Sequence, residues 1–191
     1  MREMMEYYER RAPVYDETVF RDAAVEAAQL LACVGALPAA RTLDVACGTG
    51  FMTAILPGEV VALDQSPSML TRARRKAPRA ALVRGDALRL PFRTEAFARV
   101  ATSFFYGHLP APHRQAFLDE ARRVGREILV VDAAANGRGP LEEWEHRTLS
   151  DGGSYRIYSR RFTAKDLLDE IGTGEPIFQG RWFVAVWAKT A

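Results

Sequence analysis

Three carboxylates and two glycines stand where short apolar runs end. Thr42-Leu43-Asp44-Val45-Ala46 leads into Cys47-Gly48-Thr49-Gly50, and Val60-Val61-Ala62-Leu63 ends on Asp64. A further carboxylate, Asp86, follows Gly85 after the run that ends near Val83. Glycine lacks Cβ, so Gly48 and Gly50 permit a sharp turn at positive φ and the close approach of a ligand to the backbone. A helix beginning there aims free N–H groups and the positive end of its dipole at the same spot. A carboxylate at the end of the second strand, Asp64, is where such folds hold ribose hydroxyls. Together these residues read as a half-site for a nucleoside. The dinucleotide fingerprint Gly-x-Gly-x-x-Gly is incomplete, because Thr53 occupies its last glycine position. Asp44 would repel a pyrophosphate and favour a ligand that carries an ammonium and a sulfonium.

The elements that position these residues follow from the apolar pattern. The first run is short and unalternating, as expected of a parallel strand buried on both faces. The order strand, glycine turn, short helix over Phe51 to Leu56, strand accounts for residues 41–64. Ser66 suits an N-cap and Pro67 the first helical position, starting a helix to about Lys76. Arg79 to Val83, Ala96 to Thr102 and Glu127 to Asp132 read as three more strands, and Pro112 to Arg123 as an amphipathic helix between the last two. Thr163 with Asp166 resembles a capping box opening a helix to Ile171. Glu175 to Phe178, the Gln179-Gly180 turn and Arg181 to Lys189 read as a terminal hairpin. Residues 1–37 are helical in pattern, with Met4, Met5 and Tyr8 at helical spacing and an Ala- and Leu-rich run from Ala23 to Val34.

Leu43-Asp44-Val45-Ala46-Cys47-Gly48-Thr49-Gly50 closely resembles the first motif of class I S-adenosylmethionine-dependent methyltransferases, with Ala46 where glycine is more frequent. Asp64-Gln65-Ser66-Pro67-Ser68-Met69-Leu70 is similar to their second motif and Gly85-Asp86-Ala87 to their third. The resemblance implies an α/β fold, a doubly wound, seven-stranded, mostly parallel sheet with an antiparallel terminal hairpin, in one domain over residues 1–191. It implies S-adenosyl-L-methionine as cofactor and methyl transfer to a small-molecule acceptor by in-line displacement. Cofactor contacts would come from Tyr15, Asp44, Ala46, Gly48, Gly50, Asp64, Gln65, Met69 and Ser103. Asp86 would accept from the adenine amine and Ala87 would donate its N–H to the ring; a plain surface turn is the bland alternative for that pair. Tyr8 to Asp16 resembles the Tyr-Asp-x-x-Ala-x-x-Tyr-Asp segment of small-molecule members, which folds over the cofactor, so residues 1–37 are expected to cover the site. An aromatic face there would attract a sulfonium.

The acceptor side is less defined. Ser103-Phe104-Phe105-Tyr106-Gly107-His108 leave the fourth strand at the carboxyl edge, where ligands of open α/β sheets bind. The stretch lacks the Asn and prolines of the Asn-Pro-Pro-Tyr motif of nucleobase amino-methyltransferases. His108 reads as a packed histidine or as a base that takes a proton from the acceptor. Residues 133–162 read as an acceptor-side insertion. There Trp144, Arg147 and Tyr158, with Tyr106, would form a cage for the acceptor; a solvated helix with one buried tryptophan explains the same residues.

Bulk properties exclude several classes. The 191 residues carry a net charge of +2 and 48% hydrophobic residues, which suits one soluble domain and gives no basic run for nucleic acid. The two isolated cysteines, Cys33 and Cys47, point to a reducing compartment without disulfide or metal ligation. No apolar run approaches a membrane span and the charged N-terminus does not resemble a signal peptide. A cytoplasmic monomer or homodimer is expected, without metal, membrane or nucleic-acid partner. Two other readings stay open: a non-catalytic S-adenosylmethionine-binding module and a nicotinamide-dependent oxidoreductase.

Overall fold

The computed structural model describes residues 2–18, 20, 22–137 and 139–190. Its centre is a seven-stranded sheet in the order β3-β2-β1-β4-β5-β9-β8. Strands β1 (Thr42–Val45), β2 (Val60–Asp64), β3 (Ala81–Arg84), β4 (Phe97–Ser103) and β5 (Gly125–Ala133) are parallel. Strand β9 (Phe183–Lys189) runs antiparallel between β5 and β8 (Gly174–Gln179). This is the doubly wound sheet with an antiparallel hairpin that the motifs imply.

Strand alternation feeds two apolar layers. Leu43, Val45, Val61 and Leu63 join Phe117, Leu118 and Leu167 on one side. Those last three come from α5 (Ala111–Val124) and α6 (Ala164–Ile171). Val60, Ala101 and Leu129 join Leu30 and Val34 of α3 (Ala24–Gly35) on the other. All four residues of β1 are buried, the signature of a strand covered on both faces. The chain begins with α1 (Arg2–Arg11), a 3-10 turn over Ala12–Val14 and α2 (Tyr15–Thr18). Helix α4 (Pro67–Lys76) starts as its sequence requires, with the Ser66 hydroxyl accepting from the Met69 N–H and Pro67 in the first turn. Thr163 and Asp166 form the full reciprocal capping box of α6.

Three local expectations need correction. Phe51 to Leu56 is a succession of turns, not a helix; Gly50 at φ +81° opens it outside the helical region, and only isolated bonds such as Ala54 N–H to Gly50 O form. Within residues 133–162 there is no helix among the described residues. A separate two-stranded antiparallel hairpin forms instead from β6 (Glu142–Thr148) and β7 (Ser154–Arg160). Trp144 lies half exposed on it rather than buried, edge-on to Tyr158 and 4.6 Å beneath the Arg156 guanidinium. The terminal turn is also one step longer than expected, since β9 begins at Phe183. Among the described residues no helix is long and apolar enough to cross a membrane.

Candidate active site

The winding of the sheet reverses between β1 and β4, because the chain builds outward through β2 and β3 and then returns to the other side of β1. The carboxyl ends diverge there and leave a crevice. The glycine turn sits at its mouth, with Ala46, Gly48 and Gly50 all at positive φ (57°, 54° and 81°). Asp64, at the end of β2, holds this turn. One carboxylate oxygen accepts the Gly48 N–H at 2.8 Å and the other accepts the Ser66 N–H at 2.8 Å. A single side chain thereby fixes the glycine turn against the start of α4. Burial raises the Asp64 carboxyl above its ordinary range, against the pull of those N–H groups.

The crevice is a cavity of about 360 Å³, roofed by α1. Met4, Met5, Tyr8 and Glu9 of α1 line it, so the helical spacing of Met4, Met5 and Tyr8 marks the face turned inward. The roof is tied down on the α4 side, where the hydroxyls of Ser66 and Ser68 both donate to the Glu9 carboxylate. Asp16 continues the seam with Thr49 and Lys76, each at 2.6 Å. On the other side the β6–β7 hairpin holds α1: Arg10 donates to Tyr155 and Asp151, and Glu3 accepts the Arg156 N–H. One end of the cavity is aromatic, walled by Tyr8, Tyr15, Phe104, Phe105 and His108.

A family model for a methyltransferase domain matches residues 42–127, which begin at β1 and run into β5. Demethylmenaquinone methyltransferase of Beutenbergia cavernae is 34% identical over 116 residues, covering 59% of this chain and 48% of that protein. The chloroplastic 2-methyl-6-phytyl-1,4-hydroquinone methyltransferase of Arabidopsis thaliana is 33% identical over 162 residues, covering 76% and 45%. The chain thus spans about half the length of the curated relatives it matches. In fold it is similar to DhpI in complex with S-adenosylhomocysteine, with a TM-score of 0.76 over 99% of this chain and 96% of that one at 24% identity. Residues 42–127 therefore resemble a methyltransferase domain, set in a chain with the class I methyltransferase fold.

The positions that resemble this family's motifs are brought together unevenly. Tyr15, Ala46, Gly48, Asp64, Gln65 and Met69 line the cavity, and so do Asp86, Ala87, Ser103 and His108. Asp44 does not reach it; it is fully buried beneath the turn, one oxygen accepting from Thr53 Oγ1 at 2.6 Å and the other without a partner. Gly50 faces away from the cavity, its Cα packed on Ala73 of α4. The expected acceptor cage does not line the cavity. Tyr106 is turned into the core, where its hydroxyl donates to Glu170. Tyr158 packs with Arg114, Trp144 is on the hairpin surface, and Arg147 stands behind Tyr8 at 3.3 Å. Met4 and Met5 carry no motif of their own and only their periodicity was visible, whereas Tyr8 and Glu9 open the segment that resembles the Tyr-Asp-x-x-Ala-x-x-Tyr-Asp motif.

Two observations test the fit of the methyltransferase cofactor. Gln65 Oε1, on a residue of the cavity wall, is an acceptor without a partner, and a ligand bearing ribose hydroxyls supplies donors to such an atom. The aromatic end offers ring faces to a sulfonium. The residues present fit the group.

Ala46 carries the backbone of the glycine it replaces in the motif. An L-residue in the left-handed region costs roughly 1–2 kcal/mol, while an added glycine loosens the unfolded chain by about 0.4–1 kcal/mol. Ala46→Gly is therefore expected to raise stability by at most about 1.6 kcal/mol in urea unfolding; a clear loss would show that the alanine methyl is itself needed in the cavity wall.

Proposed function

We propose that this chain transfers the methyl group of S-adenosyl-L-methionine to a small-molecule acceptor. The observation that carries this reading is one continuous cavity joining a nucleoside half-site, Asp64 with Asp86, to an aromatic end beside His108. When bound, the cofactor supplies an activated methyl group on a sulfonium. The protein's part is then to hold donor and acceptor in line with water excluded, which in favourable cases is worth roughly 7–11 kcal/mol. In this reading Asp64 holds the ribose, Asp86 and Ala87 meet the adenine edge, and Gly48 lies along the amino-acid tail with Asp44 below. Tyr15, Ala46, Gln65, Met69 and Ser103 complete the cofactor wall. Met4 and Met5 of the roof would cover the nucleoside. A helical roof over a cavity of this size favours a small acceptor over a polymer, and two matched relatives are named for quinone and hydroquinone acceptors.

The test is titration calorimetry with S-adenosylhomocysteine, followed by transfer of labelled methyl to a panel of small acceptors. Binding with transfer to no acceptor favours the non-catalytic module; micromolar binding of NADH in its place favours the oxidoreductase.

Asp44 adds a pH signature. Burial pushes its carboxyl up to about 7, partly offset by Thr53 and reinforced by Asp64. Its folded value is above the unfolded one, so the group's contribution to stability is complete at low pH and is lost as pH rises toward 7. A bound ammonium favours the ionised form. Binding of S-adenosylhomocysteine near pH 6 should therefore release a proton and tighten toward pH 8. Calorimetry in buffers of different ionisation enthalpy measures this, and proton uptake would contradict the assignment.

A further inference from the structure

His108 has both ring nitrogens engaged. Nδ1 lies 2.7 Å from the carbonyl oxygen of Tyr158, and Nε2 lies 2.7 Å from the hydroxyl of Tyr8. A carbonyl oxygen can only accept, so Nδ1 carries the proton and donates. In the neutral ring Nε2 is then a bare lone pair, and Tyr8 must donate its hydroxyl proton to it. The Tyr8 oxygen also accepts from Arg147 Nη1 at 3.3 Å, which leaves it one further lone pair. Tyr8 and His108 both line the aromatic end of the cavity, beside Ser103, Phe104 and Phe105 at the end of β4. His108 thus has no free nitrogen for an acceptor molecule.

We propose that Tyr8 is the group that meets the acceptor, taking a hydroxyl proton from it while passing its own to His108. This rests on the methyltransferase reading and deepens it: the acceptor is a hydroxylated molecule, of the phenol or hydroquinone class that suits an aromatic wall. The balance is simple. The acceptor oxygen's lone pair forms the new bond to the methyl carbon as the carbon–sulfur bond breaks, and that electron pair stays on sulfur. The acceptor's O–H proton moves to the Tyr8 oxygen, the Tyr8 proton moves to His108 Nε2, and the imidazolium later loses it to water. One positive charge leaves sulfur as another appears on the ring, so the cavity's net charge does not change.

His108 is a weak base, lowered to about 4 by burial and then by Arg147, against the pull of the Tyr158 carbonyl and of Glu145, with Arg11 adding to the depression. A weak base suffices here, because an oxygen that is gaining a methyl group becomes strongly acidic along the way. The low value also keeps Nε2 bare at neutral pH, ready to accept. Arg147, held by Glu145 and Ser159, is a positioning residue that fixes the Tyr8 oxygen from behind.

The test has two arms. In nitrogen-15 NMR of the intact chain at pH 7, His108 is expected as the neutral Nδ1–H tautomer, and Tyr8→Phe is expected to shift its Nε2 resonance; an Nε2–H tautomer overturns the relay. In the kinetic arm, the wild type and Tyr8→Phe are assayed with simple phenols and hydroquinones that are neutral at the assay pH and with nitrophenols that are already ionised. General-base loss costs about 10²–10⁴-fold, so Tyr8→Phe should lose at least 100-fold with neutral phenols and less than about fivefold with ionised ones. Equal losses on both, or none on neutral phenols, overturn the proposal. So does a wild type that binds S-adenosylhomocysteine yet methylates no hydroxylated probe. Absence of S-adenosylhomocysteine binding would instead overturn the underlying methyltransferase reading.

Discussion

Asp64→Asn is expected to weaken S-adenosylhomocysteine binding by about 10–100-fold, and Asp64→Ala by more. A hydrogen bond to a charged group is worth about 1.5–3 kcal/mol, and each 1.4 kcal/mol is tenfold in affinity. The asparagine keeps one acceptor oxygen for the Gly48 or the Ser66 N–H but removes the charge that would grip a diol. The alanine frees both N–H groups, each now held at 2.8 Å, and so also releases the glycine turn from the start of α4. The two variants separate charge from geometry: calorimetry reads the affinity, and thermal unfolding without ligand reads the released turn. An unchanged dissociation constant for Asp64→Ala would remove this carboxylate from the site.

The two glycines of the turn should fail in different ways when given a methyl group. At Gly50 a Cβ would lie 2.8 Å from Ala73 Cα and 3.0 Å from its Cβ, and φ is +81°. The neighbour is backbone of α4 and cannot yield. Left-handed backbone costs roughly 1–2 kcal/mol and overpacking about 1–3 kcal/mol, so Gly50→Ala should lose about 2–5 kcal/mol of stability. That is a large share of the usual margin of about 5–15 kcal/mol, and a chain that populates unfolded forms at room temperature is an admissible result. At Gly48, φ is +54° and a Cβ would meet nothing within 4 Å, since the position opens on the cavity. Gly48→Ala should keep its urea midpoint to within about 2 kcal/mol of stability while cofactor affinity falls. Equal destabilisation of the two variants would contradict this division.

How much of this was legible in the sequence depended on how local the cause was. The buried parallel strand at Thr42–Val45, the Ser66 cap with Pro67, and the Thr163–Asp166 capping box each follow from a few neighbouring residues. The nucleoside half-site was legible for the same reason, because a glycine turn and a strand-end carboxylate lie sixteen positions apart in one supersecondary unit. Gly50 shows where spacing misleads: it belongs to the motif, yet its task is to let α4 approach. The β6–β7 hairpin escaped because the half-buried face of Glu142–Thr148 carries Glu143, Glu145 and Arg147 while its one large apolar residue, Trp144, is on the exposed face, so its alternation runs against hydrophobicity. The Tyr8–His108 contact spans a hundred residues. Each partner could be seen on its own element, but their meeting depends on how α1 docks across the sheet, which no local pattern records.

The clasp on α1 has a kinetic consequence. Arg10 and Asp151, each roughly half exposed, join the first helix to a hairpin that is itself outside the main sheet, and in the proposed reaction release of the spent cofactor is expected to depend on that join. Attraction between exposed charges is screened at about 10 Å in 0.1 M salt, so added salt should loosen the clasp without touching the buried grip of Asp64. Stopped-flow measurement of S-adenosylhomocysteine release is expected to show a shorter residence time at higher ionic strength. In Arg10→Ala release should be fast and indifferent to salt, which makes the surface ion pair, rather than the nucleoside contacts, the timer of product exit.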